Sequence, residues 1–133
     1  MKYMLDTNTC IGLIRQKPQT LIERLTACAP GEIGVSAITV AELAHGAHKS
    51  KNVEKNLSAL EQFLLPVEVA DFDQRASGAY GLVRASLEQK GKTIGSMDML
   101  IGAHALSLDV ILVTNNTSEF KRIPNLYIED WMA

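Results

Sequence analysis

A chain of 133 residues with 47% hydrophobic and 21% charged residues has the length and balance of one ordinary globular domain. Its apolar runs fall far short of the roughly 20 residues that a membrane-spanning helix needs, and no cationic start with a following apolar stretch and cleavage site marks a secretory signal. Cys10 and Cys28 make neither a disulfide framework nor a zinc spacing, so a cytoplasmic domain over residues 1–133 without thiolate-bound metal is expected. The net charge of −2 gives no support to a non-catalytic nucleic-acid binder, whose affinity comes from neutralising phosphates. It is compatible with a metal-dependent nuclease, because divalent cations reverse the charge of an acidic pocket.

Tyr3 to Leu5 reads as a short strand that stops at Asp6-Thr7-Asn8, a turn and helix-start signal. Cys10 to Arg15 reads as a helix, and a second follows Pro18, with Leu21, Leu25 and Cys28 at helical spacing. Ala29-Pro30-Gly31 ends it, and the alternation around Ile33 and Val35 predicts another strand. From Thr39 the period changes: Val40, Leu43, Ala44 and Ala47 share one helix face. Val53, Leu57, Leu60 and Leu64 mark a further amphipathic helix closed by Pro66, and Val67 to Ala70 a short strand. Asp73 caps a long helix with a buried stripe of Ala76, Tyr80, Val83 and Leu87, ending near Gly91. Ser96 to Leu108 is apolar almost all round, which predicts a central buried helix. Val110 to Val113 has the unbroken apolar character of a strand covered on both faces, and Leu126 to Ile128 supplies the last strand. Strands alternating with helices predict an α/β fold, one domain of three α/β/α layers around a mainly parallel sheet of about five strands.

In open parallel sheets the ligand site lies beyond the carboxyl ends of the strands. Asp6 follows the first strand and Asn116 follows Val113-Thr114-Asn115, while Glu42 and Asp98 each sit one turn into a helix. Each has a local alternative. Thr39-Val40-Ala41-Glu42 and Asn116-Thr117-Ser118-Glu119 have the form of capping boxes, Asp98 behind Ser96 suits a helix's positive end, and Asp6 with Asn8 makes a turn and cap. Against the alternatives, Glu42 belongs to a polar stripe with His45, Gly46 and Lys49. Asp98 is the lone carboxylate of an apolar helix, costly to bury unless paired or metal-bound. Carboxylates brought together repel, a divalent cation resolves the conflict, and oxygen-only ligation favours Mg2+, with Mn2+ as a substitute, over zinc.

The segments Met4-Leu5-Asp6-Thr7-Asn8, Ala41-Glu42-Leu43 with Gly46-Ala47, Asp98-Met99-Leu100-Ile101-Gly102-Ala103-His104-Ala105, and Val113-Thr114-Asn115-Asn116 with Glu119-Phe120 follow one another across the chain. Together they resemble a PIN domain, and more closely the VapC toxins of bacterial type II toxin–antitoxin pairs. The resemblance implies a magnesium-dependent endoribonuclease inhibited by a VapB-type antitoxin, with Asp6, Glu42 and Asp98 at the three acidic positions. Asn116 stands where many PIN domains carry Asp; a neutral amide is a weaker metal ligand, and Glu119 is the candidate to supply the missing charge. Thr7 and Thr114 match hydroxyl positions that support the acids, with Asn8 beside them. The short VapC form resembles enzymes that cut initiator tRNA in its anticodon stem-loop, which is the expected substrate.

Other features are weaker signals. Lys49, Lys51, Lys55 and Lys92 are candidate RNA contacts, although such a basic cluster is more often a solvated face, and Arg84, Lys90, Lys121 and Arg122 are as ambiguous. His104 on its apolar helix reads as a core histidine, and Glu42-Leu43-Ala44-His45 lacks the second copy that a di-iron site needs. Ile11, Leu13, Ile14, Leu21 and Ile22 exceed what one small core needs, so a site on part of that surface for an antitoxin helix or a homodimer competes evenly with ordinary core packing. A receiver-like phospho-acceptor domain lacks its second acidic pair here. A PIN fold that binds RNA or a partner without cutting is the remaining rival.

Overall fold

Five strands of two to four residues each are too short to stand alone, and they are held by helices on both faces. The computed structural model describes residues 1–133. In chain order the elements are β1 (Tyr3–Leu5), α1 (Thr7–Arg15), α2 (Gln19–Thr26), β2 (Ile33–Ser36), α3 (Ala37–His48), α4 (Val53–Leu64), β3 (Glu68–Ala70), α5 (Gln74–Gln89), α6 (Ser96–Leu108), β4 (Ile111–Val113), α7 (Thr117–Phe120) and β5 (Ile128–Glu129). The sheet order is β3-β2-β1-β4-β5 and every pairing is parallel. The predicted class is therefore the observed one.

Leu5 lies opposite both Val35 and Val113, so Asp6, Ser36 and Thr114 leave the sheet at one level. The chain goes from β1 to β2 on one side and returns to β4 on the other. That makes the crevice between β1 and β4 the switch point at which open α/β sheets bind ligands. Alternation along the strands sorts the core. Met4 and Leu112 face Val83, Leu87, Ile101, Ala105 and Phe120 of α5, α6 and α7. Leu5, Val35 and Val113 face Cys10, Leu13, Leu21, Leu43 and Leu60 of α1 to α4.

Some boundaries differ from the sequence-based expectation. α1 starts at Thr7 rather than Cys10 because Asp6 is its cap, with Oδ1 accepting from the Thr9 amide at 2.9 Å. α3 starts at Ala37, capped by Ser36, whose Oγ accepts from the Ile38 amide at 3.0 Å. Thr39 is thus inside the helix, fully buried, and its hydroxyl has no hydrogen-bond partner. The alternative reading of Thr39 and Glu42 as a capping box is therefore not realised, and Glu42 is left free for another role. Val110 and Leu126 fill the core before pairing begins, which moves β4 and β5 toward the C-terminus of their predicted spans. Of the supposed surplus apolar residues, Leu13 and Leu21 are core, whereas Ile11, Ile14 and Ile22 are half-buried.

The C-terminal Trp131, which no periodic pattern signals, is also core. Its ring packs edge-on to Tyr3 at 5.0 Å, and its Nε1 donates to Glu129 Oε1 at 2.9 Å. Glu129 in turn accepts from Arg24 at 2.8 Å, and that guanidinium lies 5.1 Å from the Trp131 ring. α2, β1 and the chain end are thereby locked together.

Candidate active site

Asp6 is buried at the end of β1, and its backbone amide donates to the Val113 carbonyl at 3.0 Å. Thr9 Oγ1 donates to the same carbonyl at 3.1 Å, so the starts of α1 and the end of β4 are pinned around the carboxylate. Burial raises the Asp6 pKa above its ordinary value; hydrogen bonds from Thr114 and Thr9 oppose this, and the nearby charge of Glu42 adds to it. The cap reading of Asp6 is correct for one oxygen, and the same geometry aims the carboxyl group at the crevice.

Glu42 comes from α3 and accepts a hydrogen bond from Thr7 Oγ1 at 2.6 Å. This long-range bond joins the first turn of α1 to α3 and stands in place of the local cap that is the rival reading of Glu42. Asp98 lies in the first turn of α6, whose cap residue is Gly95, and it makes no capping bond. Burial first, then the charges of Glu119, Asp6 and Glu42 and a hydrogen bond with Glu119, push its pKa from 3.8 up to about 6. The side chains brought to Asp98 are therefore the acids singled out in the sequence.

Asn116 does not cap α7 with its side chain. Its Nδ2 donates to Glu119 Oε2 at 2.9 Å, and its backbone amide donates to Thr114 Oγ1 at 2.9 Å. Asn116 thus orients Glu119, and Glu119 meets Asp98. Asp6, Thr7, Asn8, Glu42, Asp98 and Asn116 together line a cavity of about 170 Å³ that contains no apolar residue. No lysine or arginine pairs with any of its acids, since the ion pairs of the chain are Met1–Glu68, Arg24–Glu129 and Arg84–Glu88. No three His, Cys, Asp or Glu side chains are preassembled as a metal-binding group.

The other candidates lie outside this cavity. Lys49, Lys51, Lys55 and Lys92 are all exposed. His104 is buried with Nδ1 2.8 Å from Ser36 Oγ and its ring edge-on to Phe72 at 5.2 Å. Burial lowers its pKa, as suits a neutral core histidine. Sequence reasoning passed over Thr9 and Ser36 as positioning residues. The only advance signal for Thr9 is its spacing from Asp6, and for Ser36 its place at the end of a strand.

The PIN domain family profile matches residues 3–126. Ribonuclease VapC2 of Rickettsia felis is 46% identical over 132 residues, 98% of each chain. The tRNA(fMet)-specific endonuclease VapC of Salmonella typhimurium is 44% identical over 131 residues, again 98% of each chain. The crystal structure of VapBC2 from Rickettsia felis bound to a promoter DNA fragment has a chain that superposes with a TM-score of 0.93 at 45% identity. The match covers 98% of this chain and 99% of that one. The chain belongs to the PIN-domain family, within its VapC branch of ribonucleases.

Proposed function

We propose that this chain is the toxin of a VapB–VapC pair. In this reading it is a magnesium-dependent endoribonuclease that cuts initiator tRNA in the anticodon stem-loop, in the cytoplasm, and so stops translation. The observation that carries the reading is the cavity at the β1–β4 switch point, lined by Asp6, Glu42 and Asp98 with no cation paired to them. Burial, and then the repulsion of Glu119, Asp6 and Glu42, raise the Asp98 pKa to about 6, and such a set of acids is one that a divalent cation relieves. Magnesium keeps several of its waters and takes one or two carboxylates directly.

Asp6 and Asp98 are the direct ligands in this reading, with Glu42 completing the set and Mn2+ able to take the place of Mg2+. Bound there, the ion supplies charge that lowers the pKa of a water and offsets the charge of the phosphodiester. The protein's own part is positional. Thr7 fixes Glu42, Thr9 and the β4 carbonyl of Val113 fix Asp6, and Asn116 turns Glu119 toward Asp98. Water attack in line with the leaving oxygen gives a 5′-phosphate and a 3′-hydroxyl.

Support for the substrate comes from the Salmonella typhimurium relative, a tRNA(fMet)-specific endonuclease at 44% identity. Support for the partner comes from the VapBC complexes of Rickettsia felis and Salmonella typhimurium, which match at TM-scores of 0.93. A groove of about 310 Å³ beside Glu42, lined by Ile11, Ile14, Leu43, Ala47, Ala59 and Leu60 among others, suits an antitoxin segment. Sequencing the RNA ends that appear on induction tests the reading. New 5′-phosphate ends in the initiator tRNA anticodon loop, absent with Asp6→Asn, are expected. An intact tRNA pool with translation still arrested overturns the substrate and favours a non-cleaving binding module.

A further inference from the structure

A net charge of −2 conceals an uneven distribution around the cleft. On one rim α3 runs from Glu42 to its end at His48, where Lys49 follows; Lys51 and Lys55 come next in the turn and the start of α4. On the opposite rim α7 ends at Phe120, the residue after Glu119, and Lys121 and Arg122 follow it. Arg122 Nη1 donates to the Thr93 carbonyl at 3.0 Å. Thr93 lies in the loop that carries Lys90 and Lys92 and leads to Gly95, where a side-chain carbon would stand 3.7 Å from Asp98 Oδ2. One hydrogen bond therefore ties two cationic segments together at the Asp98–Glu119 edge of the cleft. Lys90, Lys92, Lys121 and Arg122 are all exposed, and none is in an ion pair.

The rims differ in what lies beside them. The α3–α4 rim borders a groove that sets Ile11, Ile14, Leu43 and Leu60 beside Arg15, Ser50 and Asn56, a mixed apolar and polar lining that suits a protein segment. Neither that groove nor the apolar cavity of about 400 Å³ beneath Leu25, Phe63 and Val67 touches the α7 rim. Free cations without an apolar floor are the surface that a nucleic-acid backbone uses. Arg122 is well placed for this, because the bond to Thr93 uses one of its five N–H donors and fixes the orientation of the rest.

We propose that the phosphate backbone of the RNA substrate reaches the cleft across the α7 rim, over Lys90, Lys92, Lys121 and Arg122, and that the α3–α4 rim is left to a protein partner. The inference rests on the ribonuclease reading and adds a direction of approach to it. It replaces the even assignment of Lys49, Lys51, Lys55 and Lys92 as RNA contacts with an asymmetric one.

The test measures tRNA binding by the full chain in an Asp6→Asn background, which blocks cleavage, at salt concentrations from 50 to 300 mM. A triple variant of the α7 rim, Lys90→Gln with Lys92→Gln and Lys121→Gln, is compared with Lys49→Gln, Lys51→Gln and Lys55→Gln together. All six lysines are exposed, and an unchanged melting temperature checks that folding is intact. Each lost phosphate contact lowers the slope of log K against log salt by about 0.7 to 0.9. The α7-rim triple is expected to lose about 2 from that slope and at least roughly tenfold in affinity at moderate salt. The α3–α4 triple is expected to stay within about twofold. Equal losses in both, loss confined to the α3–α4 triple, or no loss in either overturns the proposal. The two readings fail separately: if the Asp6→Asn chain binds no tRNA and the parent chain cuts none, the ribonuclease reading itself is removed and the path goes with it.

Discussion

Replacing Asp98 by Asn should stabilise the metal-free protein while removing its activity. The pKa of Asp98 rises from 3.8 to about 6 through burial and the charges of Glu119, Asp6 and Glu42, so its ionised form is disfavoured by the fold. A two-unit rise corresponds to about 3 kcal/mol, and because Asp98 is only half-buried, solvent screening reduces this to about 1–2 kcal/mol. The folded state binds the proton more tightly than the unfolded state. Stability is therefore highest below the unfolded pKa of 3.8 and declines as pH rises through about 6. Chemical denaturation of the chelated parent and of Asp98→Asn, at intervals from pH 4.5 to pH 8, reads this directly. The variant should be more stable by about 1–2 kcal/mol at pH 8, an advantage that shrinks as the pH falls toward 5. Added Mg2+ should close the gap by stabilising the parent only. A variant that is equally or less stable than the parent at pH 8 would show that Asp98 is not under electrostatic stress, and the repulsion argument would fail.

Three further outcomes follow from single contacts. Thr7→Val breaks the 2.6 Å bond to Glu42; it should cost about 1–2 kcal/mol of stability and weaken Mg2+ binding by calorimetry, with Thr7→Ser restoring most of both. His104→Ala removes the bond to Ser36 and leaves a void under Phe72, so urea unfolding should show a loss of about 2–4 kcal/mol. Because burial lowers the His104 pKa, its own contribution is present above the unfolded value near 6.5 and is lost as pH falls below it; the variant should lack that acid-side loss. Trp131→Ala should cost about 3–5 kcal/mol in thermal or denaturant unfolding, although only two residues follow it.

Asp6 and Asp98 were legible in the sequence because each breaks an apolar pattern where a ligand site is expected, one after a strand and one at the start of a buried helix. Glu42 was legible only as a member of a set. Its local context, Thr39 three residues earlier, imitates a capping box, and the bond to Thr7 that gives it its place spans 35 residues. The true cap of α3 is Ser36, which also serves as the last residue of β2, and strand and helix signals overlap there. Strand order follows from packing and register, not from any local run, so the β1–β4 crevice could be expected in kind but not located. Trp131 escaped notice because β5 is two residues long and carries no period to extend. Glu119 was visible as a charge near Asn116, but its contact with Asp98 depends on how α7 sits against α6.

The most direct test of the metal-dependent ribonuclease is cleavage of purified initiator tRNA by the purified chain while Mg2+ is titrated from none to millimolar. Cleavage should be absent in chelator, rise and saturate with Mg2+, be supported by Mn2+, and be lost in Asp6→Asn and Asp98→Asn although both remain folded. Cleavage at full rate in chelator, or undiminished in either variant, would contradict the role assigned to these acids.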